Sequence, residues 1–151
     1  MLAAGAVPVF AAQALVMLLD EFHFHRRRGL PRWERIGHPL DTLSVLGCYG
    51  VALTAVPSST TVGAYVAIAV FSTLFVTKDE WIHAALCSAT EHWLHALLFA
   101  LHPAVLALVG ILWFEGGHRS LLGVQAFATL AFGVYQLAYW NFAWKQPSFE
   151  R

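Results

Sequence analysis

Five apolar stretches, 3–19, 40–56, 61–76, 93–114 and 121–144, occupy most of this 151-residue chain and dictate what it can become. Hydrophobic residues make up 58% of the positions and charged residues 12%, outside the usual balance of a soluble domain. Mean hydropathy is +0.61. A helix crosses a bilayer with about 17 to 25 such residues, so the third stretch is marginal unless it continues into the segment that follows it. In lipid a helix satisfies its own backbone. The expectation is an all-α integral membrane helical bundle of about five transmembrane helices, forming one domain over residues 1–151. The first stretch lacks a basic leader and a clear small-residue cleavage site, and so reads as a retained span.

Basic residues orient the bundle. Arg26, Arg27, Arg28, Arg32, Arg35, Lys78, Lys145 and Arg151 fall on one side of a five-span arrangement and only Arg119 on the other. This predicts the N-terminus outside and the C-terminus in the cytoplasm, in a bacterial-type inner membrane or its equivalent. Formal net charge is zero with neutral histidines, which provides no field for nucleic acid. Cys48 and Cys87 lie in apolar surroundings and form neither a disulfide framework nor a CxxC site.

The same topology gathers the ionisable residues. His23, His25, His38, His83, His92 and His95 reach the cytoplasmic boundary, His102 lies about two turns deeper, and Asp20, Glu21, Asp41, Asp79, Glu80 and Glu91 join that layer. The densest segment is KDEWIHAALCSATEHWLH, 78–95. Ser88 and Glu91 have capping-box spacing, which would end one helix near Cys87 and start the next. The alternative is one continuous helix, on which Glu80, His83, Cys87, Glu91, His95 and His102 share an arc of about 120°.

Glu80 and His83 form an ExxH pair, a carboxylate and an imidazole one turn apart, as di-metal carboxylate bundles use. In DEFHFH, Asp20 pairs with His23 and Glu21 with His25, on different faces. His38 and Asp41 flank a helix start in which Pro39 suits the first position and Asp41 the helix dipole. Asp20 and Glu21 are also placed to pair with Arg26 to Arg28, and Asp79 with Lys78. An ionisable group inside a span costs about 2.5 to 3.5 kcal/mol on insertion scales, so several at one depth call for a shared compensation. A multivalent cation supplies it. The predicted ligands are Glu21, His23, His25, His38, Asp41, Glu80, His83, Glu91, His92, His95 and His102, with Glu80 and Glu91 as catalytic carboxylates. Cys87 reads as a packing residue; Gln136, Tyr139 and Asn141 as hydrogen-bonding between helices.

Mixed imidazole and carboxylate donors suit iron, manganese or zinc, and their number suits two ions better than one zinc. With HxH at His23 and His25, HxxH at His92 and His95 and ExxH at Glu80 and His83, the chain resembles, at the level of motifs, membrane di-iron proteins of the fatty-acid desaturase and hydroxylase type. It lacks their HxxHH boxes and is shorter. The resemblance implies two irons per chain, an apolar lipid-like substrate that is hydroxylated or desaturated, and a separate reductase, since no nucleotide fingerprint is present. A zinc-dependent membrane hydrolase, a haem protein using His95 and His102, and a metal transporter are the alternatives, and a homo-oligomer is left open.

Overall fold

The computed structural model describes residues 2–145. Helix α1 (Leu2–Leu19) passes without interruption into a π-helical turn, Asp20–His25, and a final turn α2, Arg26–Arg28. Then follow α3 (Arg32–Thr54), α4 (Ser59–Phe75), a short α5 (Glu80–Leu86), α6 (Ala89–Glu115) and α7 (Arg119–Ala138), which ends in a second π-helical turn, Tyr139–Ala143. No strand forms among the described residues. Four helical segments, Ala3–Arg28, Ser59–Leu86, Ala89–Glu115 and Arg119–Ala143, are long and apolar enough to cross a membrane. Helix α3 has the length, at 23 residues, but carries Arg32, Glu34, Arg35 and Asp41 in its first half.

Caps and glycines set the boundaries. Ser58 opens α4 with a reciprocal capping box, its Oγ accepting from Thr61 N–H at 3.2 Å while its own N–H donates to Thr61 Oγ1 at 2.8 Å. Ser88 opens α6 by accepting from Glu91 N–H at 3.3 Å, which settles the choice between one helix and two in favour of a break at Cys87 and Ser88. At Gly29 the chain turns with φ +76°, and a Cβ there would sit 2.8 Å from the Trp144 ring. Only glycine fits.

One boundary departs from expectation. Helix α3 starts at Arg32, two turns before Pro39, so Pro39 is interior rather than at the first position. A proline cannot donate to the carbonyl four residues back, here Arg35. Asn141 of α7 answers that carbonyl through Nδ2 at 3.3 Å. Thus Asn141 does bond between helices, and Asp41 is not an N-terminal helix acid.

Helix α1 packs on α6, while α3 packs on α4, α6 and α7. One end of the bundle is an apolar core of Phe10, Tyr49, Tyr65, Leu106, Val109 and Trp113, joined by Leu122 from the start of α7. Two of its polar groups are satisfied: Tyr65 donates to Leu106 O at 2.5 Å and Trp113 to Ala55 O at 2.9 Å. The ends of α1, α4 and α7 and the starts of α3 and α6 make the opposite end. That end is polar.

Candidate metal centre

The π-helical turn decides which residues meet. An i to i+5 repeat brings Asp20 and His25 onto one face, while Glu21 sits one turn below His25. His25 Nε2 lies 3.1 Å from Asp20 Oδ2 and its Nδ1 lies 3.4 Å from Glu21 Oε2. His23, three residues after Asp20, points outward and is exposed. The expected Asp20 and His23 pair is therefore replaced by Asp20 and His25.

From α6, His95 brings Nε2 to 3.2 Å from Asp20 Oδ1 and 3.3 Å from Oδ2. Asp20 thus lies between two imidazoles from two helices. His83 of α5 packs on His95 with ring centroids 4.1 Å apart, and His38 of α3 lies 5.0 Å from the His25 ring. Asp20, Glu21, His25, His83, Glu91 and His95 are all at most 6% exposed.

Buried polar atoms are normally paired, and the exceptions need a reason. Here His25 Nε2, both ring nitrogens of His83 and His95 Nδ1 make no hydrogen bond among the described residues. The short His25 to Asp20 distance lies outside hydrogen-bond geometry. Donor atoms of Asp20, His25, Glu91 and His95 fall within 4.8 Å of one another, as do those of Glu21, His25 and His38, and of His83, Cys87 and His95. These sets overlap at His25 and His95, so the donors form a row rather than a single knot. Burial pushes the Cys87 thiol up to about 12, so it stays protonated unless a cation binds it.

Carboxylates outnumber cations in this layer. Asp20, Glu21, Glu34, Asp41, Asp79 and Glu91 are buried or nearly so, and among the described residues only Arg28 and Lys78 pair with them, an excess of four carboxyl groups beside the imidazoles. Two divalent cations would neutralise four charges. Such an excess cannot persist in a low-dielectric interior without bound cations or protons.

Arg28 is a fork between two carboxylates. Its terminal nitrogens donate to Glu34 Oε1 and Oε2 at 3.3 and 3.0 Å, and Nε donates to Glu91 Oε1 at 3.1 Å. Glu34 is fully buried, with His83 Nε2 3.9 Å away. Glu21 is held by Trp140 Nε1 at 2.6 Å, Tyr135 OH at 3.2 Å and Gln136 Nε2 at 3.2 Å. So Gln136 bonds into the layer, and Trp140, fully buried, supports Glu21.

The remaining residues read from the sequence lie further out. Glu80 is half-exposed, 3.7 Å from both His83 Nδ1 and His92 Nδ1. His92 is bonded at 2.8 Å to the His83 carbonyl. Asp41 is paired with Lys78, which also reaches Asp79 at 3.3 Å and whose side chain passes directly over Gly37. His102 lies below the layer on Ser72 Oγ at 2.9 Å. Asp79 is buried between Lys78 and His38, not at a boundary. Glu34 and Arg28 were not singled out, because WER and RRR look alike whether they face solvent or each other.

Below the ligands a cavity of about 330 Å³ leads from His25, His38 and His95 toward Phe10, Tyr49 and Val105. No family model, no curated protein and no solved structure matches this chain.

Proposed function

We propose that this chain is a membrane-embedded metalloenzyme with two divalent metal ions, iron in the first instance, in the polar layer, and that it oxidises an apolar, lipid-like substrate. The observation that carries the reading is the set of unpartnered ring nitrogens on His25, His83 and His95, buried beside carboxylates that outnumber their counter-charges. Exposed Leu15, Leu43, Val66, Phe71, Phe114 and Phe127 around the helices suit a bundle whose outside is lipid. Helix α3 is the fifth crossing, its charged first half sheltered by the layer. The basic residues put that layer at the cytoplasmic face.

Glu21, His25 and His38 would hold one ion and Asp20, Glu91 and His95 the other, with His83 packed beside His95. Two redox-active ions there would supply the chemistry that couples dioxygen to a C–H bond. In hydroxylation one oxygen atom enters the C–H bond, and the other leaves as water with two electrons and two protons. The electrons come from a separate one-electron donor protein. The chain's own part is to fix the ligands through Arg28, Trp140 and Gln136, exclude bulk water, and present the substrate from below.

A zinc hydrolase is the second reading, favoured by the compact four-donor set of Asp20, His25, Glu91 and His95, in which Glu91 would act on a bound water. Metal content per chain and the absorption spectrum of detergent-purified protein, wild type and His95→Ala, separate the two. About two irons, no Soret band and loss of metal in the variant support the oxidase. One zinc supports the hydrolase, a Soret band a haem protein, and no metal after reconstitution rejects all three.

A further inference from the structure

The cavity below the metal layer is a tunnel with a side opening. Its walls come from α1, α3, α6 and α7. Helix α1 packs chiefly on α6 and α7 chiefly on α3, and Ala14 and Leu18 of α1 and Ala128 of α7 are both exposed on the lateral surface and part of the tunnel wall. A slot between α1 and α7 therefore connects the tunnel to the surroundings of the bundle.

Depth follows from helix rise. Asp20 to Phe10 on α1, and His95 to Val105 on α6, each span about 15 Å. An extended chain advances about 3.5 Å for every three backbone bonds, so a 15 Å tunnel takes about a dozen bonds of an unbranched alkyl chain. Most of the wall is apolar, and the polar side chains on it below the layer are Gln13 on α1, Thr42 and Tyr49 on α3, His102 on α6, and Gln125 and Thr129 on α7. Gln13 lies about 10 Å from Asp20 along α1, and Thr129 and Gln125 lie about 10 and 16 Å from Gln136 along α7. Among the other interior amide and hydroxyl groups, Gln136 bonds Glu21, Ser72 bonds His102 and Ser44, and Tyr65 bonds Leu106, while the Thr42 and Tyr49 hydroxyls on the wall make no side-chain hydrogen bond among the described residues. The side chains of Gln13, Gln125 and Thr129 make no such bond among the described residues.

We propose that the tunnel binds an unbranched amphiphile of about a dozen bonds with an uncharged polar head, a hydroxyl or carbonyl, at Gln13, Gln125 and Thr129. Its methyl end then lies against Asp20, His25 and His95. Gln and Thr offer neutral donors and acceptors, and a charged head at that depth would be costly. The chain enters through the slot between α1 and α7. The last point, that the methyl end meets a metal, rests on the proposed function; occupancy of the tunnel does not.

The test is retention of radiolabelled n-dodecanol, n-dodecane and n-octadecanol by the full chain in detergent after gel filtration, for wild type, Ala14→Trp and Gln13→Leu/Gln125→Leu, with metal content measured on the same fractions. Dodecanol retained at least tenfold better than dodecane and octadecanol, its loss with Ala14→Trp, and equal retention of dodecanol and dodecane by the double variant are expected. Position 14 is exposed, so the tryptophan obstructs the slot without entering the core. Equal retention of dodecanol and dodecane by wild type overturns the head-group site, and retention unchanged by Ala14→Trp overturns the tunnel. Two metals with no dodecanol overturns this inference alone; dodecanol without metal supports it and overturns the proposed function alone.

Discussion

Replacing Arg28 with methionine asks whether the layer is a buried charge network or a decorated surface. Arg28 is 15% exposed, and its two partners, Glu34 and Glu91, are 0% and 4% exposed at the side chain. Methionine keeps much of the stem's volume and removes all three hydrogen bonds, leaving two carboxylates without the cation between them. Breaking a buried pair in this way costs about 3 to 5 kcal/mol, because the stranded partner keeps its desolvation penalty. That is a shift of about a hundredfold to a few thousandfold in the folded-to-unfolded ratio. Neutralising one stranded carboxylate should return part of it. Arg28→Met/Glu34→Gln is expected to recover about 1 to 2 kcal/mol relative to Arg28→Met, since a buried amide costs less than a buried carboxylate. The assay is reversible unfolding by SDS in mixed micelles, followed by tryptophan fluorescence and circular dichroism at fixed metal loading. A loss under about 1 kcal/mol, the range of an exposed ion pair, would refute the reasoning, as would a double variant less stable than Arg28→Met.

Three further outcomes are expected. Asp20→Asn should weaken metal retention at least about tenfold, the lower end for residues that orient or supply ligands, while His23→Ala, on the outward face, leaves it unchanged; equilibrium dialysis with metal analysis distinguishes the pair. Ser88→Ala should cost about 0.5 to 2 kcal/mol in the same unfolding assay through loss of the α6 cap, and a negligible cost would mean that the break at Cys87 does not depend on it. In metal-free Cys48→Ala protein, alkylation of Cys87 at pH 8 should run about two to three orders of magnitude slower than a free thiol of ordinary acidity. The raised thiol also predicts that this rate keeps climbing with pH up to about 12, so a plateau below pH 9 would contradict it.

Much of this was legible in the amino-acid order. Long apolar stretches allow helices and little else, so element type and approximate boundaries follow from composition and periodicity. The break before α6 was visible in Ser88 and Glu91, because a cap is a local interaction between residues close in the chain. Gathering His25, His38, His83, Glu91 and His95 at one end followed from alternating helix direction alone.

What the chain order could not decide was which of those side chains touch. Only the folded backbone shows a π-helical turn at Asp20, and that turn, by adding a residue to the repeat, swings His25 onto Asp20 and His23 outward. A 3.6-residue reading pairs Asp20 with His23, and nothing in DEFHFH signals the wider turn. Glu34 belongs to the layer because α3 begins two turns early and carries it inward to meet Arg28 of α2, with Asn141 answering the carbonyl that Pro39 leaves free. The tunnel, too, is made by four helices diverging below the layer, a property of packing and not of any one segment. Local sequence determined the helices, their caps and the depth of each charged group, because those depend on neighbours within a few residues; tertiary structure decided the contacts among them, because a contact depends on the phase and tilt of two helices at once.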